Sequence, residues 1–126
     1  MDTIIVVYQT APAPPVQEGK FLQLRLQGRE YLVFAPFALF RYHNQLLARF
    51  LADRNLPHRW ATPQRLVVDA ADLDVYGGGR FRADAASGIL RLWDNSQAYG
   101  RFREPGLAER IAAAGHRWSG FRVVIG

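Results

Sequence analysis

The sequence predicts a single α+β domain. A mixed β-sheet carries two main helices packed on it, in the order β-β-α-β-β-β-α-β, preceded by an extra N-terminal strand. Three observations lead there. A chain of 126 residues suits one compact domain rather than two. Its 49% hydrophobic content, including 13% aromatics, is enough to build a core and far from that of a disordered chain. Short runs of alternating or β-branched residues are broken twice by stretches of helical periodicity.

Residues 3–10 are rich in β-branched side chains and predict the extra strand. Residues 11–19 hold Pro12, Pro14 and Pro15 and predict an extended linker, so that residues 1–18 form an arm outside the domain of residues 19–126. Such an arm can pack on the domain edge or exchange between two copies, giving a monomer or an arm-exchanged dimer. Phe21, Leu22, Leu24 and Leu26 largely alternate with Gln23, Arg25 and Gln27, the period of a half-buried strand. Gly28-Arg29 predicts a turn and Tyr31–Phe34 the returning strand, ended by Pro36.

From about Ala38 to Arg54, Leu39, Tyr42, Leu46, Leu47, Phe50 and Leu51 recur at helical spacing. Asn55 and Pro57 end this helix. Leu66–Val68 and Leu73–Tyr76 predict strands, Gly77-Gly78-Gly79 an interruption before Arg80-Phe81-Arg82, and Ile89–Trp93 the next strand. Pro105 suits the first turn of a helix over Leu107–Ala114 that Gly115 stops, and Phe121–Ile125 closes the sheet.

Composition narrows the chemistry. With no cysteine, disulfide frameworks, thiolate metal sites and thiol nucleophiles are excluded. His43, His58 and His116 are far apart and show no metal-ligand spacing. Of the 16 cationic residues only Lys20 is a lysine; with 11 carboxylates the formal charge is +5, which favours an anionic partner. Ile4–Tyr8 is too short for a membrane span or a signal core and follows Asp2 in place of a basic cluster, so a cytoplasmic protein without a membrane partner is expected.

Three segments could carry chemistry. His43, beside Tyr42 early in the first helix, is either a packing residue or, at a pocket edge, a general base or nucleophile. Gly77-Gly78-Gly79-Arg80 is either a bulge or wide turn, or a backbone that lets an anion approach with Arg80 supplying charge. It lacks the Gly-Lys-Ser/Thr ending of a P-loop. Asn95–Gly100 is either a connector or a hydroxyl and free N–H groups grouped for phosphate. Arginines interleave with aromatics at Gly79–Arg82 and Tyr99–Arg103, as on nucleic-acid surfaces and equally on ordinary strands. His58 is expected in a loop, and His116 solvent-facing near the negative end of a helix.

In order, Lys20-Phe21-Leu22-Gln23-Leu24-Arg25-Leu26, Tyr42-His43, Tyr76-Gly77-Gly78-Gly79-Arg80 and Ser96-Gln97-Ala98-Tyr99-Gly100 resemble the motifs of the phosphohistidine phosphatase (Janus/Ocnus) family. The resemblance runs from about Lys20 to Val124; residues 1–18 have no counterpart, and Asp53–Asp72 differs in length and character. It implies a cofactor-free hydrolase that cleaves the P–N bond of phosphohistidine in a protein or peptide without a metal.

The same resemblance assigns His43 as the catalytic residue. Lys20, Arg80, Ser96 and the Ala98 backbone N–H would bind the phosphoryl group, a pocket that sulfate or phosphate would also enter. Tyr42, Gly77, Gly78, Gly79, Tyr99 and Gly100 would support them. Two rival readings are a non-catalytic phosphate- or phosphopeptide-binding module and a small basic nucleic-acid-binding domain, the latter the less favoured.

Overall fold

The computed structural model describes residues 3–126; Asp2, read above as standing where a basic cluster would precede a signal core, lies outside them. The elements are β1 (Thr3–Val7), β2 (Val16–Leu26), β3 (Arg29–Pro36), α1 (His43–Asp53), β4 (His58–Thr62), β5 (Arg65–Val68), β6 (Leu73–Asp84), β7 (Ile89–Trp93), α2 (Leu107–Ala113) and β8 (Arg122–Ile125). Six strands form one mixed sheet in the order β1-β3-β2-β6-β7-β8, and β4-β5 form a separate hairpin. The outermost pairs, β1 with β3 and β7 with β8, are parallel; the inner pairs are antiparallel. The α+β class, the mixed sheet and the two helices are as the sequence predicts.

Alternation along β2 sends its side chains to two different cores. Phe21 joins Phe34, Phe81, Leu90, Leu92 and Trp118 beneath α2 residues Leu107 and Ile111. Leu22, Leu24 and Leu26 join Val33 and Ala35 beneath α1 residues Leu46, Leu47, Phe50 and Leu51. Each face of the sheet thus has one helix. Each such fully buried Leu or Phe contributes on the order of 1.5–3 kcal/mol from burial alone. Phe34 anchors the α2 side, stacked on Phe21 at 5.4 Å and edge-on to Phe81 and Trp118 at 5.2 Å each.

Several boundaries differ from expectation for identifiable reasons. The first helix begins at His43, not near Ala38. The segment after Pro36 folds instead into a turn, with the Leu39 and Phe40 N–H groups donating to the Pro36 carbonyl. Leu39 and Tyr42, assigned to the apolar face by spacing, are consequently exposed. The glycine run does not interrupt a strand: β6 continues through it and pairs with β2 along its length, with a register shift only opposite Gln23/Leu24. One strand is added, β4, so His58 opens a strand instead of lying in a loop. The expected linker is shorter, because β2 already starts at Val16. Pro105 precedes the N-cap, Gly106, and so lies just outside the first turn of α2. His116 is half-buried, not solvent-facing; its Nε2 donates to the Ile111 carbonyl at the negative end of α2.

The arm is fastened by a buried polar network. Glu30 on β3 is 7% exposed. Its carboxylate accepts from Thr3 Oγ1 at 2.6 Å, Gln23 Nε2 at 3.0 Å, and Arg110 Nε and Nη2 at 2.7 and 3.0 Å. Gln23 Oε1 in turn accepts from the Arg103 N–H at 2.7 Å. One carboxylate therefore joins β1, β2, β3 and α2. Burial pushes the Glu30 pKa up, but the hydrogen bonds from Arg110, Thr3 and Gln23 outweigh it and hold the carboxyl below its ordinary 4.5.

Arg110→Ala should cost about 2 kcal/mol in urea denaturation at pH 7, below the figure for a fully buried pair because Arg110 is 34% exposed. The native chain should lose the Glu30 contribution as pH falls from about 4.5 through the depressed folded value. The variant, with burial unopposed by the guanidinium, should lose less stability over the same range.

Candidate active site

The site lies where α1 begins over the middle of the sheet. Tyr42 is the extended N-cap of α1, and Gln45 Oε1 accepts from the Arg41 and Tyr42 N–H groups. This fixes the first helical residue, His43, at the positive end of the helix. Tyr42 serves through its backbone; the residue is 57% exposed.

His43 is buried, with 4% of its surface exposed. Its ring lies on β6, with Nε2 3.0 Å from the Gly79 carbonyl oxygen. A carbonyl only accepts, so Nε2 carries the proton and Nδ1 keeps the lone pair. The ring can lie this close only because Gly78 has no side chain. A Cβ there would stand 2.9 Å from both Cδ2 and Nε2 of the imidazole and 2.6 Å from the Phe21 carbonyl oxygen. Gly79 is constrained from the opposite face, where a Cβ would meet the rings of Phe21 and Phe102 at 3.0 and 3.1 Å. Gly77 leaves room for the Arg101 backbone. The glycines therefore serve close approach inside a paired strand, not a turn.

Lys20 and Arg80 are directly paired across β2 and β6, one residue pair along the same face from Leu22 and Gly78. Cross-strand partners share a face, so both cations stand on the imidazole's side of the sheet, and Lys20 is near enough to act on its charge. Arg80 also pairs with Trp93 of β7. Its guanidinium carbon lies 5.3 Å from the Phe37 ring centroid and 5.4 Å from that of Trp93. Its Nε is buried without a hydrogen-bond partner, and among the described residues neither Lys20 nor Arg80 forms a salt bridge. The aromatic rings orient the guanidinium and leave its N–H groups unspent.

The loop after β7 closes the other side. The Gly78 N–H donates to the Gly100 carbonyl at 3.0 Å, where β7 no longer pairs with β6. Ser96 and Gly100 exchange backbone hydrogen bonds of 3.0 and 2.8 Å, so residues 96–100 form a tight loop held on the glycine strand. Ser96 is buried, and its Oγ accepts from the Tyr99 N–H at 3.2 Å, which leaves the hydroxyl proton to donate. Tyr99 packs its ring towards the α1 core. Ala98 is exposed at the tip, and its N–H makes no hydrogen bond among the described residues.

Electrostatics set the protonation states. Burial, and then Lys20, push the His43 pKa down to about 4 against the raising effects of the Gly79 and Phe21 carbonyls and Asp94. Burial and the charge of Arg80 lower Lys20 as well, partly offset by Asp94. The site thus combines a neutral imidazole at physiological pH with two cations that lack salt-bridge partners, a charge pattern that favours a bound anion.

The structure gathers Lys20, His43, the glycine run and Arg80, and hangs the Ser96–Gly100 loop from the same strand. Sequence reading missed Asp94, Phe37 and Trp93. The two-residue period of β7 could have placed Trp93 beside Arg80; nothing local marks Phe37 or Asp94 as their neighbours. Among the described residues no three His, Asp or Glu side chains come together, and no helix is long and apolar enough to cross a membrane.

The His43 ring nitrogens, followed by NMR, should remain in the neutral form down to about pH 4. Because the unfolded chain takes up this proton near 6.5, stability should fall between pH 6.5 and 4, by up to about 3 kcal/mol from this residue. Inorganic phosphate, by countering Lys20, should move the His43 titration upward. Titration near 6.5 without phosphate would contradict the seating on Gly78.

No protein-family model matches the chain, and no curated protein matches it.

Proposed function

We propose that the protein is a phosphohistidine phosphatase that hydrolyses the P–N bond without a metal, with His43 as the reacting group. The observation that carries this reading is the neutral, buried imidazole on the same sheet face as two cations that form no salt bridge among the described residues. A phosphoryl dianion is the complement of such a site. Lys20 places a point charge on its oxygens, and Arg80, oriented by Phe37 and Trp93, grips in a plane. The Ser96 hydroxyl and the Ala98 N–H supply neutral donors on the loop side.

Phosphoryl transfer depends mainly on positioning and charge stabilisation, which these groups provide. Two routes use the same Nδ1 lone pair. In one, Nδ1 takes a proton from water as the water oxygen attacks phosphorus. In the other, Nδ1 attacks phosphorus, and water then cleaves the phosphorylated imidazole. In the first route the proton taken from water passes from Nδ1 to the substrate imidazole as the P–N bond breaks; in the second the leaving imidazole takes its proton from solvent, and the later attack of water returns one; both release phosphate. Burial and then Lys20 hold the His43 pKa down; the bound dianion offsets the Lys20 charge, so the imidazole becomes a stronger base once substrate is present.

Phosphate release from phosphohistidine should persist in excess chelator and vanish in His43→Ala with folding retained. Lys20→Arg keeps the charge but loses the compact ammonium, and turnover should drop roughly tenfold or more. Phosphate or sulfate binding by the native chain with no hydrolysis of any phosphoramidate would replace the enzyme with a binding module.

A further inference from the structure

The sheet carries a second feature that the proposed chemistry leaves unused. On its face helix α1 covers β2 and β3, with Val6 of β1 and Leu73 and Val75 of β6 packed against the same core; the later part of β6, with β7 and β8, carries no helix on that face among the described residues. Cross-strand pairing lays out their side chains in rows. Lys20, Arg80 and Trp93 form the row at the site. The next row is Glu18, Arg82, Arg91 and Val124; beyond it come Val16, Asp84, Ile89 and Arg122. Arg82, Arg91 and Arg122 are exposed, while Trp93, Ile89 and Val124 are half-buried with no helix over them.

The charge on this face is predominantly positive, with Arg82, Arg91 and Arg122 against Glu18 and Asp84. Arg82 and Arg91 stand directly opposite each other, a like-charge pairing that costs stability in a free sheet. Glu18 reaches Arg82 at 3.5 Å with both side chains nearly half exposed, which screens the pair. The Arg91 guanidinium donates from Nε and Nη2 to the Gly126 carbonyl oxygen at 3.2 and 3.0 Å, finds no carboxylate side chain among the described residues, and packs 5.3 Å from the Trp93 ring centroid, on the ring that Arg80 also approaches. Trp93 therefore joins the arginines of the open face to the phosphate-binding row without a break.

We propose that this open face of β6, β7 and β8 docks an acidic segment of the phosphorylated protein, adjacent to its phosphohistidine. The inference rests on the proposed phosphatase reading for the placement of the phosphoryl group. Carboxylates of the segment would neutralise Arg82, Arg91 and Arg122, and its apolar side chains would cover Trp93, Ile89 and Val124. A segment running outward from the imidazole can do both because the rows begin at Arg80.

The test compares free phosphohistidine with two phosphohistidine peptides, one flanked by Asp and Glu and one by Ser and Gly. The native chain should show a KM for the acidic peptide roughly tenfold below that for the neutral one, a gap that closes at high salt. The triple variant R82Q/R91Q/R122Q should erase this preference while hydrolysing free phosphohistidine at the native rate, which also shows that it is folded. Equal KM values for both peptides in the native chain would overturn the proposal.

Fluorescence anisotropy with the unphosphorylated acidic peptide separates docking from chemistry. Arginine-dependent binding without hydrolysis of any substrate would retain the surface and reject the phosphatase. Tighter arginine-dependent binding of a single-stranded oligonucleotide of equal charge would overturn the acidic-protein assignment.

Discussion

The candidate site depends on one absent side chain. Gly78 lies within a strand paired with β2, and the space above it is filled by an imidazole that donates to the next carbonyl along. That contact fixes the ring, its tautomer and its distance from the sheet. It also buries the ring enough to keep it uncharged. The helix start, the cation pair and the loop from Ser96 to Gly100 are all positioned relative to this point. A methyl group at Gly78 would occupy the space that the ring needs.

Energetically the sheet is asymmetric in purpose. On the α2 side, Phe21, Phe34, Phe81 and Trp118 form a dense aromatic core, and the Glu30 network fastens β1 and α2 to its edge. This side supplies rigidity. On the α1 side, burial ends along a line through Lys20 and Arg80, past which the sheet lies bare. The candidate site lies on that line, where a charged group can be partly desolvated yet reached from solvent. A crevice of about 280 Å³ on the α2 side, lined by residues including Pro14, Pro15, Arg117 and Trp118, contains none of the candidate site residues.

Much of this was legible in the sequence because it is local. Alternation in Phe21–Leu26 and the spacing of Leu46, Leu47, Phe50 and Leu51 report burial directly, and both cores follow that pattern. The grouping of Lys20, His43, Arg80 and Ser96 could be expected only from the order of the motifs, since strand pairing across distant positions brings them together. What sequence could not convey is what occupies the space over a glycine. Gly77–Gly79 reads as a break because glycine costs backbone entropy, yet here the surrounding pairing and the rings of His43, Phe21 and Phe102 impose the strand. The roles of Phe37 and Trp93 around Arg80 were hidden for the same reason: they arise from two different elements converging on a third.

The central claim is that His43 does chemistry and is not merely packed against the strand. His43→Gln separates the two, because its Nε2 amide matches the imidazole Nε2 and can still donate to the Gly79 carbonyl but is neither base nor nucleophile at neutral pH. Single-turnover hydrolysis of phosphohistidine should fall by roughly 100-fold or more in this variant, while inorganic phosphate binding at Lys20 and Arg80 stays within a few-fold of native. Hydrolysis at the native rate in His43→Gln would contradict the account.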